Sequence, residues 1–409
     1  MAGAEQVATS TFEVAGPASR PSAGPGDRSV GTCAFVGAVV TSLGGPLAIA
    51  ALYAPHIVAD ASASAGLATA AAAVVFLVPM AVWLGYSRHL QTGGGLFAFV
   101  EAAAGRRVAL VQGTLWVFSY VLYLLTTTAE IAHDVLPAAV PGGSRHAGLV
   151  QVLVPVALVA VVAAGRRTTL GVLGVVGFGQ LGIAALLAAV SVAHLGVPAS
   201  GLSAGAPAVP LATASAQTSL LYVCGSLPLF LGGEVRRPAV TVRRGLVIGY
   251  ALSAAAVVAV VLPMTARPAV TRADLPGVDL AAQLAGAPVW MSVGVGVAVS
   301  IAGVMLVEYV ALTRLLRHMV GWSLRRATLA VGAVVLASAP LTLAFPQLYD
   351  HLLKPSLIAL WTSQLIVFAA YPRFARRRGT SMAAARSLAL AASAFAVYGM
   401  WATLGHDLG

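Results

Sequence analysis

From residue 31 onward the chain is a succession of apolar runs of membrane-crossing length, separated by short segments that carry nearly all of its arginine. A hydrocarbon layer about 30 Å thick needs about 20 helical residues to cross it. By that measure eleven spans are expected, at residues 31–54, 65–87, 109–133, 147–164, 170–194, 216–234, 245–265, 289–314, 324–344, 352–372 and 382–404. Only 9% of the 409 residues are charged, 59% are hydrophobic, and the mean hydropathy is +0.90. A soluble domain carries about 25% charged residues. A fully water-facing surface is therefore excluded, and an all-α polytopic membrane protein is expected. Residues 1–29 are rich in Ala, Gly, Pro and Ser with no apolar period, which predicts a disordered cytoplasmic tail. They do not read as a signal peptide, because no basic stretch leads into the first span.

The net charge of +11 does not point to nucleic acid. The basic residues sit in clusters between spans, at Arg106-Arg107, Arg166-Arg167, Arg236-Arg237, Arg243-Arg244, Arg325-Arg326 and Arg376 to Arg378, rather than on one groove with interleaved aromatics. With the N-terminus in the cytoplasm, only Arg145, Arg267, Arg272 and Lys354 of the 24 basic residues fall outside. That asymmetry orients the chain in a cell membrane, and eleven spans would leave the C-terminus outside. The two cysteines, Cys33 and Cys224, make neither a disulfide framework nor a metal site. No nucleophile–base pair, metal-ligand spacing or phosphate loop is present, so no enzyme, no cofactor and no ATP-driven mechanism is expected.

Two spans are interrupted at their centres. The first contains Thr41-Ser42-Leu43-Gly44-Gly45-Pro46-Leu47 and the sixth Cys224-Gly225-Ser226-Leu227-Pro228-Leu229. Gly costs about 1 kcal/mol inside a helix and Pro about 3, whereas Pro is tolerated in a first helical turn. Pro46 and Pro228 are thus each expected to start a second half-helix. Spans 1–5 (31–194) and 6–10 (216–372) form two similar halves, and five being odd, the halves enter the membrane oppositely. Span 11 (382–404) is extra. Matched interrupted helices in inverted halves point to a transporter's midplane site. Exposed N–H groups at half-helix starts favour a carboxylate. Ordinary kinks or close-packing glycines are the plainer alternative.

Gly93-Gly94-Gly95-Leu96-Phe97-Ala98-Phe99-Val100-Glu101, followed by Gly105-Arg106-Arg107 and Gln112-Gly113-Thr114-Leu115-Trp116, resembles the loop between spans 2 and 3 of amino acid–polyamine–organocation permeases. Gly233-Glu234-Val235-Arg236-Arg237-Pro238 resembles their segment after span 6. With the two breaks, the resemblance covers roughly residues 31–372. It implies a five-plus-five inverted-repeat fold, alternating access, and a substrate whose carboxylate and amine are held by backbone atoms of the breaks. Carried over, those are Ser42, Leu43, Gly44 and Gly45, and Cys224, Gly225 and Ser226, with either Cys224 or Gly225 in the family's glycine place. Ser119 and Tyr123 of span 3 would complete the site. The chain departs from the family in three ways. It has eleven spans rather than the common twelve. No acidic residue follows the span-6 glycine. Span 5 lacks the lysine that some members use in place of sodium; Gln180 is its only strongly polar residue besides His194.

An ionisable residue within a span costs about 2.5–3.5 kcal/mol on insertion scales. Glu308, six residues before Arg314, is expected about 9 Å inside the helix end. It either relays protons or binds a cation, or it pairs structurally with a basic end or snorkels. Glu130, beside His133 and Asp134, is either an outer gate and proton entry or an interfacial polar cap. Glu101 is expected to face Arg106 or Arg107, and Glu234 a nearby arginine. Ser300 alone makes a poor sodium site, so proton coupling or exchange leads. Trp361, Ser363 and Gln364 line the pathway or serve as packing glue. With no carboxylate in either break and Glu308 displaced towards the cytoplasm, a neutral or zwitterionic amino acid is favoured over a polyamine or other organocation. A carrier or exporter of such cations, and a non-transporting sensor or complex subunit, are the alternatives. The sequence sets no oligomeric state.

Overall fold

The computed structural model describes residues 30–203, 205–345 and 348–405. The expected tail at 1–29 lies outside them. The long helical segments are α1 (Thr32–Ala61), α2 (Ala65–Ser87), α3 (Arg106–Ala139), α4 (Gly143–Ala163), α5 (Arg166–Leu195), α6 (Ala208–Leu231), α7 (Pro238–Met264), α8 (Ala287–Val320), α9 (Leu324–Ala344), α10 (His351–Arg377) and α11 (Met382–Gly405). Helix is the form expected here, because hydrocarbon offers no partner to a free backbone N–H or C=O. Among the described residues ten of these segments are long and apolar enough to cross a membrane, against the eleven expected. The difference is α9: residues 324–344 are helical but are not one of the ten.

Helix packing repeats from one half to the other. α1 lies against α7 as α6 lies against α2, and α5 lies against α8 as α10 lies against α3. Exchanging helices 1–5 for 6–10 turns each pair into its counterpart. A short helix also precedes the third member of each half, Gly95–Ala104 before α3 and Pro276–Ala285 before α8, and each packs on the helix that follows it. α11 packs on α10 and on the second half of α2.

The interrupted helices occupy the middle of this bundle. Within their most apolar stretches α1 is 94% buried, α8 83% and α6 78%, whereas α4 is 22% buried and faces outward. An isolated parallel bridge joins Val30, just before α1, to Val235, just after α6. The two central helices are thus tied at one end by backbone hydrogen bonds from Val30 N–H to Glu234 O (3.1 Å) and from Arg236 N–H to Val30 O (2.9 Å).

Candidate functional site

In α1 the regular helix stops at Ser42, whose hydroxyl turns back to Val39 O at 2.8 Å. Leu43, Gly44 and Gly45 form the break. Gly44 and Gly45 have φ of 70° and 65°, in the region that disfavours a side chain. Helix resumes at Pro46, in the first-turn position expected of it. The Ala48 N–H meets Ser300 Oγ of α8 at 3.4 Å, and Ser300 Oγ donates to Gln180 Oε1 of α5. A side chain at Gly45 would run into Ser300. One N–H at the start of the half-helix thus already has a protein partner. Ser300, considered above as a sodium ligand, joins α1, α5 and α8 through neutral hydrogen bonds.

α6 breaks differently from the expectation. Its α-helical part ends at Leu220, and Val223–Leu231 continues as a 3₁₀ helix with Pro228 inside it rather than at the start of a half-helix. Tightening begins where Leu221 and Tyr222 N–H groups bond to Thr218 O and Ser219 O, three residues back. In an α-helix a proline ring would press on the carbonyl four residues earlier, Cys224, and the tighter winding accommodates it.

The two breaks touch. A Cβ on Gly225 would lie 2.6 Å from Leu43 Cδ2, and a Cβ on Gly44 would lie 2.6 Å from the Leu221 carbonyl oxygen. Around this contact lie polar groups from α3, α8 and α10. Tyr120 OH donates to Cys224 Sγ at 3.9 Å. Gln364 Nε2 donates to Ser226 Oγ at 3.2 Å, and Ser356 Oγ to the Ser119 carbonyl at 2.9 Å. The Ser119 hydroxyl, Trp116 Nε1 and Gln364 Oε1 are buried without a hydrogen-bond partner. The Tyr123 ring stands edge-on to Tyr120, with centroids 6.4 Å apart. Tyr120 was missed in the sequence. Its spacing from Trp116, four residues before it, was the available signal, and those two rings are 4.1 Å apart.

Glu308 is fully buried, and neither carboxylate oxygen has a hydrogen-bond partner. It is close enough to Tyr120, Tyr123 and Cys224 to act on each electrostatically. The structural pairing considered for it is not formed. The first arginine after it on its own helix, Arg314, is engaged by Glu234, with Nε to Oε1 at 3.0 Å. Its depth is also corrected. α8 continues to Val320, twelve residues beyond Glu308, or about 18 Å at 1.5 Å per residue. α8 packs on the 3₁₀ part of α6, which sets Glu308 near Cys224 of the break.

Glu130 stands apart, at the far end of α3, and accepts a hydrogen bond from Tyr53 OH of α1 at 2.6 Å. His133 Nε2 is 2.9 Å from Gln151 Oε1 of α4. Glu101 pairs with Arg106 at 3.0 Å, as expected. Gln112 Nε2 donates to Ser363 Oγ at 2.9 Å, and Trp361 packs against Phe395 of α11. Of the α10 group only Gln364 reaches a break. Among the described residues no group of three or more His, Cys, Asp or Glu side chains is placed to hold a metal ion.

No protein-family description matches the chain, and no curated protein does. Solved structures do. MhsT in complex with L-phenylalanine is 13% identical with a TM-score of 0.58, over 91% of this chain and 97% of that one. Mhp1, a nucleobase-cation-symport-1 family transporter, in a closed conformation with bromovinylhydantoin bound, is 14% identical with a TM-score of 0.54, over 93% of this chain and 94% of that one. At such identities the likeness establishes the fold alone. Together with ten apolar helices and the paired breaks, it shows a multi-pass membrane protein with the all-helical fold shared by these two solved structures.

Proposed function

We propose that this chain is a secondary active transporter of small amine-bearing solutes, amino acids first among them, working by alternating access with proton coupling or exchange. The observation that carries the reading is the contact of two interrupted helices, Leu43 against Gly225 and Gly44 against the Leu221 carbonyl, at the centre of a repeated five-helix bundle. Secondary transporters place solute where such breaks meet. That MhsT holds L-phenylalanine and Mhp1 a hydantoin supports a small organic solute. On this reading Ser42 to Gly45 and Cys224 to Ser226 receive the carboxylate and amine. Ser119 and Tyr123 flank them, and Glu308 and Glu130 serve coupling or gating. The arginine asymmetry supports an N-terminus in the cytoplasm, and α9 as a further span would put the C-terminus outside.

Counterflow tests it. Proteoliposomes preloaded with mixed unlabelled amino acids and amines are expected to accumulate at least one labelled member of the pool. Binding of a solute without accumulation would favour a sensor or complex subunit instead. The break contact gives a sharper result. Gly225→Ala forces its Cβ onto Leu43 Cδ2, the end of a flexible side chain. Exchange is expected to fall in Gly225→Ala and to recover most of its rate when Leu43→Ala is added. An unchanged rate in Gly225→Ala would remove residues 43 and 225 from the pathway.

A further inference from the structure

Among the described residues Glu308 is a fully buried carboxylate to which the fold supplies no hydrogen-bond partner. Burying a carboxylate is unfavourable by several kcal/mol unless it is paired or neutralised. The elements packed on α8 at this level bring Tyr120 and Tyr123 from α3 and Cys224 from the 3₁₀ part of α6, all neutral donors or rings. Among the described residues no basic side chain hydrogen-bonds to either of its carboxylate oxygens. Arg314, six residues on, is held by Glu234, Thr313 and its own helix. The group is therefore completed either by a proton or by a cation that arrives from outside the protein. Its surroundings suit an organic cation: Trp116, Tyr120 and Tyr123 lie on the facing α3, and aromatic faces attract ammonium groups.

We infer that Glu308 is the binding site for the ammonium group of a cationic substrate, and that a proton and that ammonium compete for its carboxylate. This rests on the transport reading above and sets the substrate class within it. One carboxylate holds one proton or one ammonium. When the cation binds, the acid O–H proton leaves to water on the open side, and the N–H groups of the ammonium hydrogen-bond to the carboxylate oxygens. When the cation leaves on the other side, a proton from that side replaces it. The bundle carries the same charge across in either form. Transport is then exchange of one proton for one monocation, driven by a pH gradient and indifferent to membrane potential. The terminal ammonium is recognised by a side chain of α8, in addition to the groups that the breaks receive.

The test uses the full chain in proteoliposomes with labelled lysine and arginine as cations, and norleucine and phenylalanine as neutral comparisons. Lysine and norleucine differ by the terminal ammonium. A cation is expected to accumulate when the lumen is acid, with no change under an imposed potassium diffusion potential. Glu308→Gln is expected to lose this accumulation to background, and Glu308→Asp to keep part of it, both retaining the wild-type elution profile. Transport of the neutral solutes alone, or gradient-driven cation uptake surviving in Glu308→Gln, would overturn the inference and leave the transport reading standing. If nothing crosses the bilayer, that reading fails, and the site is judged in detergent. There, adding the same cations to weakly buffered protein is expected to release one proton per chain from wild type and none from Glu308→Gln. No release from wild type overturns the site as well.

Discussion

Alanine at Gly44 is expected to abolish solute exchange. Two costs coincide there. The residue has φ of 70°, which disfavours any side chain by about 1–2 kcal/mol. Its Cβ would also stand 2.6 Å from the Leu221 carbonyl oxygen and 2.7 Å from Ile49 Cδ1. The isoleucine can turn away, but the carbonyl is backbone at the point where α6 changes from α to 3₁₀ winding, and it moves only if that transition moves. Overpacking of this kind costs about 1–3 kcal/mol in addition. The matched control is Gly182 of α5, where a Cβ meets nothing within 4 Å. Alanine there gains up to about 1 kcal/mol of helix propensity and is expected to leave exchange unchanged. Counterflow and thermal unfolding on both variants decide the matter. Wild-type exchange in Gly44→Ala would mean that the close approach of the two breaks is not used in the transport cycle.

What could be read from the sequence follows from how local each cause is. The α1 break was legible because two glycines and a proline act on their own backbone, and Pro46 does start the second half. The α6 break was legible in place but not in form. Whether Pro228 opens an α-helix or sits within a 3₁₀ turn depends on what packs on Gly225, and that is Leu43, 182 positions away in sequence. Ion pairs between short neighbouring segments were legible too, as with Glu101 and Arg106. The depth of Glu308 was not. Reading Arg314 as a helix end assumed that an arginine must reach water. Its guanidinium instead finds Glu234 inside the protein, with side chains only 8% and 16% exposed, and the helix runs on to Val320. Tyr120 was hidden for a related reason. α3 is apolar on most of its surface, so periodicity does not mark which polar face turns towards α6.

The Arg314–Glu234 pair also sets the other large effect. Glu234 is a junction. Its carboxylate is gripped by α8 through Arg314 Nε and Nη2 at 3.0 and 3.4 Å, and its backbone carbonyl accepts from Val30 at the entry to α1. One residue thus ties the start of α1 and the end of α6 to α8. Removing one partner of a largely buried pair costs about 3–5 kcal/mol, and the low end applies because Glu234 keeps some contact with solvent. Even 3 kcal/mol is about a hundredfold in an equilibrium. Arg314→Ala is therefore expected to let the α1 and α6 ends part from α8 and to open the centre to the Glu234 face. Cys224, 4% exposed beside the break, is a built-in reporter. Cys33 is exposed and the chain has two cysteines, so a Cys33→Ser background leaves one thiol to follow. In that background an impermeant maleimide applied to the Glu234 face should label Cys224 slowly in the parent and roughly a hundred times faster in Arg314→Ala, up to saturation. Exchanging the charges, Arg314→Glu with Glu234→Arg, is expected to restore slow labelling. If Arg314→Ala labels no faster than its parent, the pair is a surface tie and the barrier on that face lies elsewhere, in the packing of Phe230 against Trp116 and the Gly95 turn.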